Sequence, residues 1–220
     1  PAMGWRAGAR RDGGAETVNV DGDVNPRACR DAFGHPFGPK GAELADGQDV
    51  VAQAAGGLAA FLLARSASPS IVIGYDGRHN SEVFARDTAT IMAGAGVRAI
   101  LLPRLLPTPV LAFAVRHFGT SAGVMVTASH NPPRDNGYKV YLGGDDQGSQ
   151  IVAPDDAAIA AEIDRVAAGS IAALPRTTDF TVADDEVVDA YVLATAALAE
   201  ITAPRADLRV VYSAMHGVGW

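Results

Sequence analysis

Short apolar segments alternate with stretches of helical spacing along most of this 220-residue chain. The runs at residues 71–75, 97–102 and 123–127 are rich in apolar residues, with turn-forming residues close by, which is typical of strands buried on both faces. Between them, apolar residues recur at the spacing of a helix. This alternation predicts an α/β fold: a three-layer αβα domain with a mostly parallel, mixed sheet.

The same patterns define the expected elements and domains. Helices are predicted over residues 50–64, 81–94, 110–118, 154–168 and 186–201, and further strands over 138–142 and 208–212. Ser81 is the expected N-cap of its helix. Residues 1–48 are expected to be irregular, because Gly, Asp, Arg and Pro dominate there. Residues 49–185 then form one domain, with a marginal strand near its end, and residues 186–220 begin a second, similar α/β domain that stays incomplete.

Composition excludes several classes of protein. The net charge is −7, from 18 Lys and Arg against 25 Asp and Glu, which argues against a general nucleic-acid binder. The most apolar run, residues 57–64, is shorter than the roughly 20 residues that cross a membrane, and no export signal is visible. A single cysteine, Cys29, rules out an intrachain disulfide. We therefore expect a cytoplasmic protein with no nucleic-acid or membrane partner.

The chemistry is expected in the polar loop after the third predicted strand, within TASHNPPRDNGYK (residues 127–139). Ser129 lies just past the carboxyl end of that strand, which is where open α/β sheets bind ligands. The following Asn-Pro-Pro stiffens the loop, and His130, Arg134 and Lys139 add donors and positive charge that suit a phosphate. The residues alone leave a second interpretation open, in which Ser129 caps a turn and the basic side chains are solvated.

This loop resembles the phosphoserine loop of the α-D-phosphohexomutases, the phosphoglucomutase/phosphomannomutase family. IVIGYDGR (residues 71–78) resembles the first strand of that family and the turn after it, and PTP (residues 107–109) resembles a loop of the same domain. YSAMHGVG (residues 212–219) resembles the start of the second domain, in wording closest to phosphomannomutase-like and phosphopentomutase-like members. The resemblance covers the chain from about residue 50 to its end.

The resemblance implies that Ser129 is a phosphoserine that donates and accepts a phosphoryl group. The family interconverts sugar 1-phosphates and 6-phosphates, here of glucose or mannose, through a sugar bisphosphate that serves as intermediate or activator. One oxygen of the phosphoserine would bind Mg²⁺. The resemblance also implies roles for neighbouring residues. His130 and Lys139 are candidates for proton transfer or charge stabilisation, and phosphate binding is expected of Arg78, Asn131 and Arg134. For Arg78, an ion pair with Asp76 at the surface is an equally open alternative, and His216 is a weaker candidate for the site.

The sequence also departs from the family. Members usually open with a motif of the FGTAGLRG kind, whereas residues 33–41 here read FGHPFGPKG and contain no arginine. The magnesium loop and the sugar-recognition and phosphate-binding loops of later domains would lie beyond Trp220. We therefore expect the chain alone to be inactive, with sugar phosphates and the remaining domains of a parent chain as its partners. A phosphopentomutase and a non-catalytic module that binds a sugar phosphate or a partner remain alternatives.

Overall fold

The computed structural model describes residues 18–21, 47–129, 131, 135–199, 209–214 and 218–219. Within these residues, seven strands form one sheet and five α-helices pack on it. The strands are β1 (Val18–Asp21), β2 (Ser70–Tyr75), β3 (Arg98–Leu101), β4 (Ala122–Val126), β5 (Asp135–Leu142), β6 (Ser149–Gln150) and β7 (Thr181–Val182). The helices are α1 (Gly47–Arg65), α2 (Ser81–Gly94), α3 (Thr108–His117), α4 (Asp155–Ala167) and α5 (Glu186–Ala196).

The sheet is mixed, and one strand accounts for the mixture. Its order is β1-β5-β4-β2-β3-β7, and β6 pairs with β5 next to β1. β2 is parallel to β3 and β4, and β3 is parallel to β7. β5 is antiparallel to each of its neighbours β4, β1 and β6. Of the strands described, β5 alone runs against the common direction, which confirms the predicted mostly parallel sheet.

Two apolar cores on opposite faces of the sheet make the domain three layers thick. Along β2, Ile71, Ile73 and Tyr75 pack in the core with α1, α2 and α4. The side chains between them point to the other face, where Val72 packs in the core with α3 and the first turns of α5. A strand buried on both faces has no polar side, which explains why β2 reads as a continuous apolar run. The predicted αβα layering is confirmed.

Helix α1 is a core helix. Its 19 residues are apolar enough to cross a membrane by length and composition, but most of them are buried inside the domain against α2, α4 and the sheet. At its middle, α1 meets α4 almost at backbone distance. A Cβ atom added to Gly57 would lie 2.5 Å from the Cα atom of Ile163, so only glycine allows this approach.

The N-terminal segment contains a strand where irregular structure was predicted. Residues 18–21 form β1, which pairs with Asp135–Tyr138 of β5. The prediction was wrong at this point because backbone hydrogen bonds to an existing edge hold β1, and such bonds leave no period in the sequence. The prediction for Ser81 was wrong as well. Asn80 is the N-cap of α2, in the left-handed conformation with φ of 61°, and Ser81 is the first helical residue.

The C-terminal part differs from its prediction in two ways. Helix α5 ends at Ala196 instead of residue 201, and residues 209–212 are not paired into the predicted strand. A strand needs a partner for its backbone groups, and none of the described residues provides one. The first turn of α5 packs Val187 against the α3 side of the domain, while Leu193 is 71% exposed. That residues 186–220 begin a second domain stays a prediction. The short strand expected near the end of the first domain is present as β7.

Candidate active site

Ser129 lies on the loop that leaves the carboxyl end of β4, three residues after Val126. Parallel strands β2, β3 and β4 all end at this edge of the sheet. Ser129 is exposed, and its backbone is left-handed with φ of 56°. A non-glycine residue in that conformation costs about 1–3 kcal/mol and persists only where its surroundings impose it. The contacts beneath the loop show what imposes it.

Arg78 is buried under the loop and binds its backbone. The side chain is only 3% exposed, and its Nε donates to Oδ2 of Asp76 at 3.1 Å. Nη2 donates to the carbonyl oxygen of Ser129, and Nη1 donates to the carbonyl oxygen of Asn131 at 2.9 Å. Because a guanidinium is a rigid planar fork, these bonds fix the loop relative to the end of β2.

Thr127 joins this ion pair to the backbone of Ser129. Its Oγ1 donates to Oδ2 of Asp76 at 2.6 Å and accepts from the Ser129 amide at 3.1 Å. Asp76 directly follows β2, and Thr127 directly follows β4. The register that pairs Tyr75 with Val126 therefore places these two polar residues side by side.

A second layer of polar groups supports Asp76 from below. The Ser81 hydroxyl lies 2.9 Å from Oδ1 of Asp76 and 2.8 Å from Oδ1 of Asn136. The amide nitrogen of Asn136 donates to the carbonyl oxygen of His79. Ser81 and Asn136 are at most 1% exposed. We call Asp76, Arg78, Ser81, Thr127 and Asn136 the polar bed, because together they carry the Ser129 loop and tie α2 to β5.

The structure brings some of the predicted site residues together and not others. Ser129, Asn131 and Arg78 meet at the polar bed. His130, Arg134 and His216 lie outside the described residues. Lys139 is half-buried within β5, where it pairs with Met125 of β4 on the sheet face that packs against α3. It is therefore a neighbour of the loop along the strand and takes no part in the polar bed.

The Arg78–Asp76 ion pair expected as an alternative is present, but it is buried and not at the surface. Asp76 is 16% exposed at its side chain, and Arg78 is directed at loop carbonyl groups. Four residues of the polar bed, namely Asp76, Ser81, Thr127 and Asn136, were not predicted as site residues. The signal for two of them was available: Asp76 and Thr127 are the first polar residues after two neighbouring parallel strands.

Among the described residues, neither a shifted pKa nor a metal-binding cluster adds a reactive group to the Ser129 loop. Burial, with a smaller effect of Asp87, raises the pKa of Tyr138 well above its ordinary value. Tyr138 is a neutral packing residue of the core, and its hydroxyl contacts Thr88 Oγ1. The described residues contain no cluster of three or more His, Cys, Asp or Glu side chains suited to a metal ion. An open depression of about 490 Å³, lined in part by Arg116 and Gly143, lies at the opposite end of the sheet.

Comparison with known proteins finds proteins named as sugar-phosphate mutases among those similar to this chain. The model of the family "Phosphoglucomutase/phosphomannomutase, alpha/beta/alpha domain I" matches residues 42–169, more than half of the chain. A Haemophilus influenzae protein named a probable phosphomannomutase is 66% identical over 171 residues, covering 78% of this chain and 35% of that protein. A Schizosaccharomyces pombe protein named a probable phosphoribomutase is 45% identical over 119 residues, covering 53% of this chain and 20% of that protein.

A solved structure agrees with these sequence matches. A Thermus thermophilus crystal structure, assigned as a phosphomannomutase, superposes with a TM-score of 0.58 at 32% identity. The match covers 67% of this chain and 31% of the solved one. The chain thus spans between a fifth and about a third of the length of these relatives.

Proposed function

The chain belongs to the phosphoglucomutase/phosphomannomutase family, and we propose that it carries the phosphoserine loop of a Mg²⁺-dependent mutase. The reaction would interconvert the 1-phosphate and 6-phosphate of glucose or mannose. The observation that carries the proposal is the exposed Ser129 at the carboxyl edge of the sheet, within a chain 66% identical to a protein named a phosphomannomutase.

In the proposed reaction, phosphoserine 129 transfers its phosphoryl group to the free hydroxyl of a bound sugar monophosphate. The bond between Ser129 Oγ and phosphorus breaks, and a bond forms between phosphorus and the sugar oxygen. The proton of the sugar hydroxyl passes to a nearby base, for which His130 and Lys139 are the candidates, while Ser129 Oγ takes up a proton as it leaves phosphorus. The second transfer reverses both proton movements. The resulting sugar bisphosphate turns over and returns its other phosphoryl group to Ser129, so that the enzyme is regenerated. Asn131 and Arg134, which belong to the same loop, are the candidates for binding phosphate oxygens.

Mg²⁺ fits one part of this site. Because Ser129 is exposed, a phosphoryl group on it would be exposed too and would offer hard oxygen atoms, which Mg²⁺ prefers. Since the described residues hold no carboxylate cluster beside the loop, the other ligands of the ion would come from outside them. When bound, the ion would neutralise charge on the transferring phosphoryl group.

Turnover would require more than this chain. Because the chain spans between a fifth and about a third of the length of these relatives, we propose that other segments complete the site and that the chain alone is inactive. Glucose 1-phosphate, Mg²⁺ and glucose 1,6-bisphosphate supplied to the chain and to the complete protein test this directly. Turnover by the chain at the rate of the complete protein would contradict it.

The assignment of Ser129 is tested by where phosphate arrives. After incubation of the complete protein with glucose 1,6-bisphosphate, peptide mass spectrometry should locate phosphate on Ser129. Ser129→Ala should abolish both phosphate uptake and turnover, while Ser149→Ala, at an exposed serine of β6, should change neither. Phosphate on another residue, or full activity of Ser129→Ala, would refute the assignment. A complete protein that binds sugar phosphate but takes up no phosphate would favour a non-catalytic module.

A phosphopentomutase is the second candidate, and the likeness to a protein named a phosphoribomutase supports it. The loop chemistry would be the same, with 1-phosphate and 5-phosphate positions exchanged. The ratio of kcat/KM for ribose 1-phosphate to that for glucose 1-phosphate and mannose 1-phosphate, measured on the complete protein, decides between the two. A hexose preference is expected, and a preference for ribose 1-phosphate would select the alternative.

A further inference from the structure

We propose that Thr127 and Asp76 are positioning residues that hold Ser129 in its left-handed conformation, and that Arg78 acts on the loop backbone and not on the transferring phosphoryl group. The inference rests on the proposed function of Ser129 as the phosphorylated residue. It assigns roles to groups that touch the backbone of Ser129 rather than its hydroxyl.

The first step of the argument is the direction of the Thr127 hydroxyl. A hydroxyl has one proton, and an ionised carboxylate can only accept. With Oδ2 of Asp76 at 2.6 Å, the Thr127 proton must point towards Asp76. The oxygen of Thr127 then has a lone pair left for the Ser129 amide, which lies 3.1 Å away. The charge of Asp76 therefore sets the polarity of the bond that holds Ser129.

The second step is that the Ser129 backbone is held from both sides. Its amide donates to Thr127, and its carbonyl oxygen accepts from Nη2 of Arg78. Asp76 binds both partners, through Nε of Arg78 and Oγ1 of Thr127. One partly buried carboxylate thus connects the two groups that fix the peptide bonds on either side of Ser129. Such double anchoring offsets the cost of the left-handed backbone.

The third step concerns Arg78. A guanidinium that bound the transferring group would present nitrogen atoms to the open side of the loop. Here three of its donors are directed at Asp76 Oδ2 and at the carbonyl oxygens of Ser129 and Asn131, and the side chain is 3% exposed. We therefore assign it to the shape of the loop. In-line phosphoryl transfer depends on the position of the serine oxygen, and a displacement of about 1 Å can cost on the order of 100-fold in rate.

The decisive variants are Thr127→Val and Thr127→Ser in the complete protein. Valine keeps the shape of threonine without the hydroxyl, whereas serine keeps the hydroxyl. Thr127→Val should lower kcat by about 10- to 100-fold with the KM for glucose 1-phosphate within about twofold, because the Thr127 hydroxyl is already used by Asp76 and the Ser129 amide. Thr127→Ser should restore kcat to within about threefold. Equal kcat for Thr127→Val and the unmodified protein would overturn the proposal.

A readout independent of activity is hydrogen exchange at the Ser129 amide, followed by mass spectrometry of the loop peptide. Exchange should be about tenfold faster in Thr127→Val than in the unmodified protein or Thr127→Ser. Because exchange does not require phosphoryl transfer, this result separates the two proposals. Suppose that neither the unmodified protein nor any variant takes up phosphate, but the Ser129 amide exchanges faster in Thr127→Val. Then the proposed function fails and the positioning role stands. Unchanged exchange in Thr127→Val contradicts positioning, whatever the result for Ser129→Ala.

Arg78→Lys tests the third step. A role through charge alone would be rescued by lysine, whereas a role through the guanidinium fork would not. We expect Arg78→Lys to speed exchange at Ser129 and to lower kcat by at least about tenfold. Activity of Arg78→Lys equal to that of the unmodified protein would show that Arg78 acts as a charge.

Discussion

The contact between α1 and α4 and the polar bed beneath Ser129 are both tightly packed, but different groups form them. At the first, Gly57 and Ile163 bring two helices together through apolar atoms. At the second, a guanidinium and a threonine hydroxyl, both bound to one partly buried carboxylate, bind the backbone of one loop. The first joins two long elements, whereas the second binds the loop backbone at Ser129 and Asn131.

The two regions control different properties of the molecule. Apolar contacts have no preferred direction, so the helix contact contributes to the free energy of unfolding roughly by area and fit. Hydrogen bonds to charged groups have both direction and polarity, so the polar bed fixes where Ser129 lies. We therefore expect changes at the helix contact to alter stability alone, and changes at the polar bed to alter both stability and chemistry.

The largest expected effect lies outside both regions, at Lys139. Lys139→Met in the complete protein should lower kcat by about 100-fold or more, because the proposed reaction loses a charged or proton-carrying group. The melting temperature should stay nearly constant, since Lys139 forms no ion pair with the described residues. Arg98→Met, at an exposed cation of β3, controls for the loss of charge. A large fall in melting temperature with activity retained would show that Lys139 is structural.

Removal of the central carboxylate should break the polar bed. Asp76→Ala leaves the buried Arg78 without its ion-pair partner, and breaking a buried pair in this way costs about 3 kcal/mol of unfolding free energy. The matched control is Asp185→Ala, which breaks an exposed pair with Arg104 and should cost less than about 1 kcal/mol. Urea unfolding of both variants measures the difference. Equal costs would show that burial of the Asp76 pair has no energetic consequence.

A methyl group at the helix contact should affect stability without affecting Ser129. Gly57→Ala places Cβ 2.5 Å from the Ile163 Cα atom, and the resulting overpacking should cost about 2 kcal/mol. Gly56→Ala is the matched control, because its Cβ would meet only side-chain methyl groups of Leu174 and Val166, at 3.0 and 3.1 Å. We expect it to be nearly neutral. Faster hydrogen exchange at Ser129 in Gly57→Ala would show that the two regions are coupled.

The smallest expected effect comes from the hydroxyl group of Tyr138, whose ring packs in the apolar core. Tyr138→Phe removes its contact with Thr88 and should cost about 1 kcal/mol at pH 7. Because burial raises the pKa of Tyr138 well above its ordinary value, the tyrosine of the unfolded chain ionises first, near pH 10. This part of the stability is therefore complete below pH 10 and is lost as the pH rises above it.

Unfolding free energies measured between pH 7 and 10.5 check this sign. The difference between the unmodified protein and Tyr138→Phe should shrink as the pH passes 10. A difference that stays constant across this range would mean that Tyr138 ionises equally in the folded and unfolded chains.

The layers of the fold were predictable from the sequence because burial leaves a pattern. The continuous apolar run of β2 and the helical spacing of α1 each follow from the number of faces that are covered. β1 was not predictable, since it is held by backbone bonds to β5 that place no demand on side chains. The strand predicted over residues 208–212 had the right composition, but residues 209–212 have no partner strand among the described residues.

The candidate site was predictable in one part and not in the other. The Ser129 loop was found because its motif is continuous in sequence. The polar bed draws Asp76, Ser81, Thr127 and Asn136 from separate elements, and their meeting depends on the register between β2, β4 and β5. The direction of the Arg78 side chain was not predictable either. It depends on carbonyl groups that converge only once the loop has folded.

The two residues of β7 cover part of one edge of the sheet. β7 pairs with Ile100 and Leu101 of β3, an apolar segment whose backbone groups would otherwise be open to another chain. An uncovered edge of this kind is a template for fibrous self-association, and a very short final strand is a poor one. Among the described residues, the segment that leads away from the domain is therefore also the strand that covers this edge of the sheet.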